Sequence, residues 1–143
     1  MVLHVRSLTN LNSLHVCAEN FNCSLDYYAR HTPIKNNTML LLDSGTHFLH
    51  NSIMFNGLQN LSIVGSNNFS RDLQEPVTKI QCIGRYGFVF THVHYLNLRN
   101  VLIENCGGNS GNFSAAALLF INTFNVTLYG MIVKNSVQYG MIV

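Results

Sequence analysis

The chain has 143 residues, of which 48% are hydrophobic and only 10% are charged, and its formal net charge is +2. This length and apolar content suffice for one domain with a buried core. The basic residues are scattered from Arg6 to Lys134, so no basic patch is available to follow a nucleic acid backbone. The longest apolar runs, Met39–Leu42 and Ala115–Ile121, are too short to span a bilayer. We therefore expect no nucleic acid partner and no membrane span in this segment.

The N-terminal residues and the sugar-acceptor motifs point to different compartments. Met1–Arg6 lacks the basic start and long apolar stretch of a secretory signal, so we expect the N-terminus to be incomplete or trimmed. The motif for N-linked sugar, Asn-x-Ser/Thr, begins at Asn22, Asn36, Asn60, Asn68, Asn112 and Asn125. Together with four cysteines, these six motifs favour an extracellular or cell-surface glycoprotein.

An internal repeat dominates the rest of the chain. Ile53–Gly65 begins a copy that matches Phe88–Cys106 at an offset of 35 residues, and Phe88–Cys106 matches Leu118–Ser136 without a gap at an offset of 30. A fourth copy begins at Tyr139–Val143, with Met141 lying 23 residues after Leu118. Because apolar positions match throughout, we expect Phe55, Phe90 and Phe120 to stack in the core.

The repeat predicts the fold class. Each copy contains three short runs of β-forming residues separated by Asn, Gly, Ser or Thr turns, which leaves no room for helices between them. Equivalent runs can then lie parallel only if the chain winds as a solenoid. We predict an all-β, right-handed parallel β-helix with three strands per coil over residues 39–143, about three coils with the last one truncated. A leucine-rich repeat is the alternative, but it explains only one strand per copy.

The differences in offset fall at two corners of the predicted coils. One is the polar insertion Ser66–Glu75 and the other is Gly107–Ser114. Exposed corners tolerate insertions, whereas strands do not. We expect the first insertion, which carries Asp72 and Glu75, to be a solvated loop.

Three stretches carry a resemblance to a known family. They are Cys17–Tyr28, Leu40–His47, and the repeated strands ending in Ile103–Gly108. They resemble the right-handed β-helix, or pectin-lyase-like, domains of large secreted and cell-surface proteins of simple animals such as sponges. The resemblance implies a small N-terminal cap with a short helix, here residues 1–38, and Ser24 suits the N-cap of that helix with Asp26 in its first turn. It implies no particular activity.

The cysteines favour two disulfides, Cys17 with Cys23 and Cys82 with Cys106. Cys82 and Cys106 end equivalent runs on neighbouring coils. If Ile80 stacks on Ile103, however, Cys106 lies one residue too far along, so a bridge requires the corner to turn. Four buried or free thiols are the alternative, and the absence of a Cys-x-x-Cys spacing argues against metal binding.

We predict no catalytic residue, no metal site and no cofactor. His92 and His94 have the spacing to share one side of a strand, but no third ligand is evident. The six acidic residues are spread along the chain, and only Glu104 lies in a repeated strand, where its copy is Lys134. The better candidates for exposed contacts are the tyrosines Tyr86, Tyr95, Tyr129 and Tyr139.

These patterns favour a binding or scaffolding role, with a carbohydrate or a cell-surface protein as partner. The alternatives are a fragment of a polysaccharide lyase or hydrolase whose active site lies outside this segment, and a truncated product without function. Because the last coil is open, we expect the chain to self-associate through that edge.

Overall fold

The computed structural model describes residues 12–83, 87–106, 116–136 and 139–143. These residues are mostly strands, and every pairing between strands is parallel. The prediction of an all-β chain with parallel strands is therefore confirmed. The strands are β1 Asn12–Val16, β2 Thr38–Leu42, β3 Gly45–Leu49, β4 Ile53–Asn56, β5 Gln59–Val64, β6 Thr78–Cys82, β7 Phe88–Thr91, β8 His94–Arg99, β9 Leu102–Glu104, β10 Ala116–Ile121, β11 Phe124–Tyr129, β12 Ile132–Lys134 and β13 Tyr139–Ile142.

The strands form three sheets. Sheet 1 has the order β1-β2-β5-β8-β11, sheet 2 the order β3-β6-β9-β12, and sheet 3 the order β4-β7-β10-β13. From β2 onward, the chain enters sheet 1, sheet 2 and sheet 3 in the same order four times. A leucine-rich repeat would account for sheet 1 alone.

The registers are those of the sequence repeat. Phe55 pairs with Phe90 and Phe90 with Phe120, at the predicted offsets of 35 and 30 residues. The three rings stack, with centroids 5.3 Å and 5.4 Å apart. In sheet 2, Ile80 pairs with Ile103 and Ile103 with Val133. Equivalent apolar residues thus lie on one another through the core.

The turns between strands require backbone conformations that few residues tolerate. Asn37, Asn60, Tyr95 and Asn125 occupy equivalent positions at the start of sheet 1, with φ between 56° and 61°. Gly57, His92 and Asn122 occupy a second set of equivalent positions, with φ between 47° and 68°. Asn and Gly adopt this left-handed region at the lowest energy. The turns therefore explain much of the asparagine in the repeats.

Residues 12–37 cover one end of the stack. A 3₁₀ turn, Phe21–Cys23, leads into helix α1, Leu25–His31, and the Ser24 side chain accepts a hydrogen bond from the Tyr27 N–H at 3.1 Å. The helix predicted after Ser24 is present. Leu25 is buried in the core, and β1 pairs with β2. No helix in the described segments is long and apolar enough to cross a membrane.

Candidate binding surface

The corner between β7 and β8 departs from the pattern of the other repeats. Tyr95 has a φ of 58° at a position where the neighbouring strands carry Asn60 and Asn125. His92 has a φ of 53° where the other repeats carry Gly57 or Asn122. A left-handed conformation costs an ordinary L-residue about 1–2 kcal/mol. This one corner therefore carries two large side chains at strained positions.

The large side chains at this corner face solvent. Tyr95 is 63% exposed, and His92, His94 and Phe124 are also exposed. The His94 ring meets the Phe124 ring edge to face at 5.2 Å and the Tyr95 ring at 6.4 Å. The result is an aromatic cluster spanning two neighbouring strands. Burial in the core does not explain these aromatic residues, since the inward positions of β8 are Leu96 and Leu98.

A second aromatic contact lies at the other end of the same strands. Arg99 pairs in register with Tyr129, and its guanidinium carbon lies 5.9 Å from the centre of the Tyr129 ring. The Arg99 Nε donates a hydrogen bond to the Asn97 side-chain oxygen at 3.3 Å. Tyr129 is 67% exposed. The guanidinium and the ring hold one another in place while both face solvent.

We call this strip the sheet-1 surface, and it consists of His94, Tyr95, Asn97 and Arg99 on β8 with Phe124, Thr127 and Tyr129 on β11. Tyr95 and Arg99 are four residues apart, which is about 13 Å along a strand. Between them lie the hydroxyl of Thr127 and the amide of Asn97, which pair in register. Aromatic faces separated by hydrogen-bonding groups can bind a flat, polar ligand.

The structure places the predicted tyrosines as follows. Tyr95 and Tyr129 are exposed, in agreement with the sequence prediction. Tyr86 and the side chain of Tyr139 lie outside the described part of the structure. The stacked phenylalanines Phe55, Phe90 and Phe120 are buried, so they cannot form a ligand platform.

Both cysteine pairings favoured by the sequence are present as disulfides. Cys17 and Cys23 have Cα atoms 5.2 Å apart, and those of Cys82 and Cys106 are 4.8 Å apart. The register does place Asn105 beside Cys82, one residue short of Cys106. Asn105 has a φ of 60°, so the chain turns there and Cys106 is buried. The corner turns as the bridge requires.

Three of the six acidic residues are paired with basic side chains, namely Asp26, Asp43 and Glu75. Asp26 lies 2.6 Å from the His50 Nδ1 and also accepts the His50 backbone N–H at 3.3 Å, which ties helix α1 to the end of β3. Glu75 contacts Lys134 at 2.7 Å, and its side chain is only 15% exposed. Glu75 is therefore not solvated as expected, because the insertion folds back onto β12.

His47 is the buried histidine of sheet 2. It lies at the end of the inward row that continues through Ile80 and Ile103. Its Nε2 donates to the backbone oxygen of Asp43 at 2.9 Å, and its buried Nδ1 has no partner among the described residues. Burial lowers the pKa of His47, and the hydrogen bond to Asp43 opposes this only in part. The ring is therefore neutral near pH 7.

One group in the described part of the chain brings three metal-binding residue types together. The ligand atoms of His15, Cys17 and Asp43 all lie within 4.8 Å of one another. His92 and His94 are not part of such a group within the described segments. Sequence reasoning missed this cluster, because its members are drawn together only by the pairing of β1 with β2.

The acceptor asparagines differ in how free they are. Asn22, Asn36, Asn68 and Asn125 are exposed. The Asn60 amide nitrogen instead donates to the Asn37 side-chain oxygen at 3.0 Å, and Asn60 is partly buried. Asn112 lies outside the described residues, as does the whole predicted corner Gly107–Ser114. Use of these sites stays a prediction.

Comparison of the chain with models of known protein families, with curated proteins and with solved structures found no match.

Proposed function

We propose that this chain is a right-handed parallel β-helix of an extracellular or cell-surface glycoprotein, and that it binds carbohydrate through the sheet-1 surface while acting as a scaffold. The repeated path through three parallel sheets supports a solenoid with three strands per coil. Crossover connections between parallel strands of one sheet are right-handed in about 98% of cases, which favours this hand. The resemblance to pectin-lyase-like domains points the same way.

Residues 1–38 act in this proposal as the cap of the first coil. The support is that β1 extends sheet 1 by one strand and that Leu25 of helix α1 covers the core beside β3. An uncovered end of a parallel solenoid would expose apolar side chains and unpaired backbone groups. The cap and the coils over residues 39–143 therefore form one unit.

Two disulfides support the proposed compartment. Disulfides persist in oxidising surroundings and are rare in the cytosol. Cys17–Cys23 staples the cap, and Cys82–Cys106 joins neighbouring strands of sheet 2. Accessible sugar-acceptor motifs, as at Asn36 and Asn68, fit the same compartment.

The observation that carries the binding proposal is Tyr95. A residue in a sparsely populated backbone region persists when the surrounding structure holds it there, and such residues cluster at functional sites. Tyr95 is exposed and has a strained backbone conformation. Because asparagine occupies this position in each neighbouring strand, the fold does not require a tyrosine here. Its ring faces outward beside His94, which in turn contacts Phe124. The exposed face of the Tyr95 ring can stack on the C–H face of a sugar ring.

The experiment is a glycan array that carries neutral and uronate-containing oligosaccharides, followed by titration of each ligand that binds. Tyr95→Asn and Tyr129→Ala should each weaken binding about 2- to 10-fold, which corresponds to 0.5–1.5 kcal/mol per lost aromatic contact. Tyr95→Asn is the sharper variant, because asparagine suits the backbone at this position. Phe48→Ala is the matched control, since Phe48 is an exposed aromatic residue on sheet 2.

The proposal fails if no glycan binds the wild-type chain. It also fails if Phe48→Ala weakens binding as much as the two tyrosine substitutions do. Circular dichroism of each variant shows whether the strands are intact, so a folding defect is not mistaken for loss of the site.

A further inference from the structure

The end of β1 carries a cluster that the carbohydrate proposal does not use. His15 lies on β1, Cys17 follows that strand, and Asp43 follows its neighbour β2. The His15 Nε2 and an Asp43 carboxylate oxygen are in hydrogen-bond contact, and the Cys17 sulfur lies within 4.8 Å of both residues' ligand atoms. Imidazole nitrogen, sulfur and carboxylate oxygen are all zinc ligands.

Cys23 can supply the fourth donor. Cys23 is bonded to Cys17 in the disulfide, and the two Cα atoms are 5.2 Å apart. Two thiolates at this separation can reach the same ion, as zinc–sulfur bonds are about 2.3 Å long. The Cys23 sulfur is not one of the three donor atoms that lie within 4.8 Å of one another, so after reduction it has to turn toward His15 and Asp43. With that turn, two sulfur, one nitrogen and one oxygen donor surround one ion, which suits tetrahedral coordination.

The backbone holds these residues in place without help from the disulfide. The Cys17 N–H donates to the Cys23 backbone oxygen at 2.7 Å, and the Asp43 N–H donates to the Val16 backbone oxygen at 3.0 Å. The Tyr28 hydroxyl of helix α1 donates to the His15 backbone oxygen at 3.0 Å. Breaking the disulfide leaves all three bonds available, so the cluster does not depend on it.

We propose that the cap binds one zinc ion through His15, Cys17, Cys23 and Asp43 once the Cys17–Cys23 disulfide is reduced. A dithiol reductant supplies two electrons and two protons, the sulfur–sulfur bond breaks to give two thiols, and the reductant becomes a disulfide. Zinc binding then releases one proton from each coordinating thiol to solvent. In the oxidised chain the sulfurs are bonded to each other, which leaves two donors, too few for a zinc site. The disulfide and the zinc ion are thus alternative cross-links within the same cap.

The site is open to both a reductant and a metal ion. The side chains of His15 and Asp43 face solvent to a large extent, and Cys17 is partly exposed. A cavity of about 500 Å³ adjoins the cluster, lined by Cys17, Ala18, Glu19, Asn20, Asp43 and Ser44. A reductant or an aquated metal ion can therefore reach the sulfurs without unfolding of the cap.

The test uses the full 143-residue chain, reduced and oxidised, titrated with Co²⁺ and then with Zn²⁺. The reduced chain should bind one Co²⁺ with a thiolate charge-transfer absorption and tetrahedral d–d bands, which zinc should abolish. The oxidised chain should give neither signal. His15→Ala should weaken zinc binding at least about 10-fold, the lower end of what loss of even a supporting residue costs. Cys17→Ser should lower the charge-transfer intensity.

Two controls address the other histidines and cysteines. His31→Ala removes an exposed histidine of helix α1, and Cys82→Ser/Cys106→Ser removes the other sulfur pair; both variants should keep the signal. The proposal is overturned if reduced and oxidised wild-type chains bind zinc equally, or if His15→Ala binds zinc as the wild type does. The redox comparison needs no substitution, so a variant that fails to fold cannot hide the result.

Discussion

The stack of phenylalanines in sheet 3 gives the sharpest test of the fold. Phe90 is 0% exposed and lies between Phe55 and Phe120, with a ring stacked on each side. Phe120 is 6% exposed and has only one stacked neighbour among the described residues. Replacing either residue by alanine leaves a cavity, but only Phe90→Ala separates two partners.

The expected losses follow from these contacts. A buried Phe→Ala substitution destabilises a protein by about 3–5 kcal/mol, and each aromatic pair adds about 0.5–1.5 kcal/mol beyond burial. We expect about 5 kcal/mol for Phe90→Ala and about 3 kcal/mol for Phe120→Ala. Domains unfold with about 5–15 kcal/mol, so Phe90→Ala should remove a large part of the total.

The assay is urea unfolding with both disulfides intact. Far-UV circular dichroism and tyrosine fluorescence are the probes, since the chain contains no tryptophan. Coincident transitions from the two probes justify a two-state free energy. Phe48→Ala, at an exposed position on sheet 2, is the control and should cost less than about 1 kcal/mol.

Equal losses for Phe90→Ala and Phe48→Ala would refute the stacked arrangement. So would a loss for Phe120→Ala that exceeds the loss for Phe90→Ala, because the order of the two follows directly from the number of stacked neighbours.

Three further predictions concern the buried His47, the insertion and the acceptor asparagines. Burial lowers the pKa of His47 below 6.5 in the folded chain, so the stabilising contribution of the neutral ring is fully present above pH 6.5 and is lost as the pH falls toward the folded pKa. The melting temperature of the wild type should therefore fall more between pH 7.5 and 5 than that of His47→Gln. Parallel curves of melting temperature against pH for the two proteins would contradict this. Glu75→Gln should speed trypsin cleavage after the exposed Arg71, because the Glu75–Lys134 contact holds the insertion against β12. Asp72→Asn, at an exposed position of the same loop, should leave the cleavage rate unchanged. Mass spectrometry of the fragments measures cleavage in both variants. In material secreted from eukaryotic cells, deglycosylation followed by mass spectrometry should find sugar at the exposed Asn68. It should find none at Asn60, whose amide nitrogen is bound to Asn37, and sugar at Asn60 would count against this register.

The registers could be predicted from sequence because the core repeats its residue types. Phe55, Phe90 and Phe120, or Ile80 and Ile103, are apolar at every copy, and burying them fixes which residues pair. The offsets remain visible although corners differ in length, since insertions such as Ser66–Glu75 leave the strands unchanged. Burial of equivalent residues therefore accounts for most of what the sequence predicts.

The polar contacts could not be predicted in this way. Glu75 and Lys134 are 59 residues apart, and Asp26 and His50 are 24 apart. In each pair one residue lies in a segment that does not repeat, the insertion for Glu75 and helix α1 for Asp26. Which side chains meet there depends on how an insertion or a helix folds over the sheets. The sequence likewise showed that a Cys82–Cys106 bridge requires the chain to turn. Only the backbone conformation of Asn105 shows that it does.

The positions with left-handed backbone show which residues in the repeats are required by the fold and which are not. At most such positions the chain uses asparagine or glycine, which the backbone requires and which therefore carries no functional information. Asn60 shows how this affects interpretation: its sugar-acceptor motif coincides with a structural asparagine, so the motif alone overstates the evidence for glycosylation. Tyr95 is the reverse case, a residue that the backbone disfavours at the same position. A deviation from the repeat at a strained and exposed site is thus stronger evidence for binding than any motif in the chain, and this is why Tyr95→Asn, which restores the pattern of the other repeats, should weaken binding while leaving the strands in place.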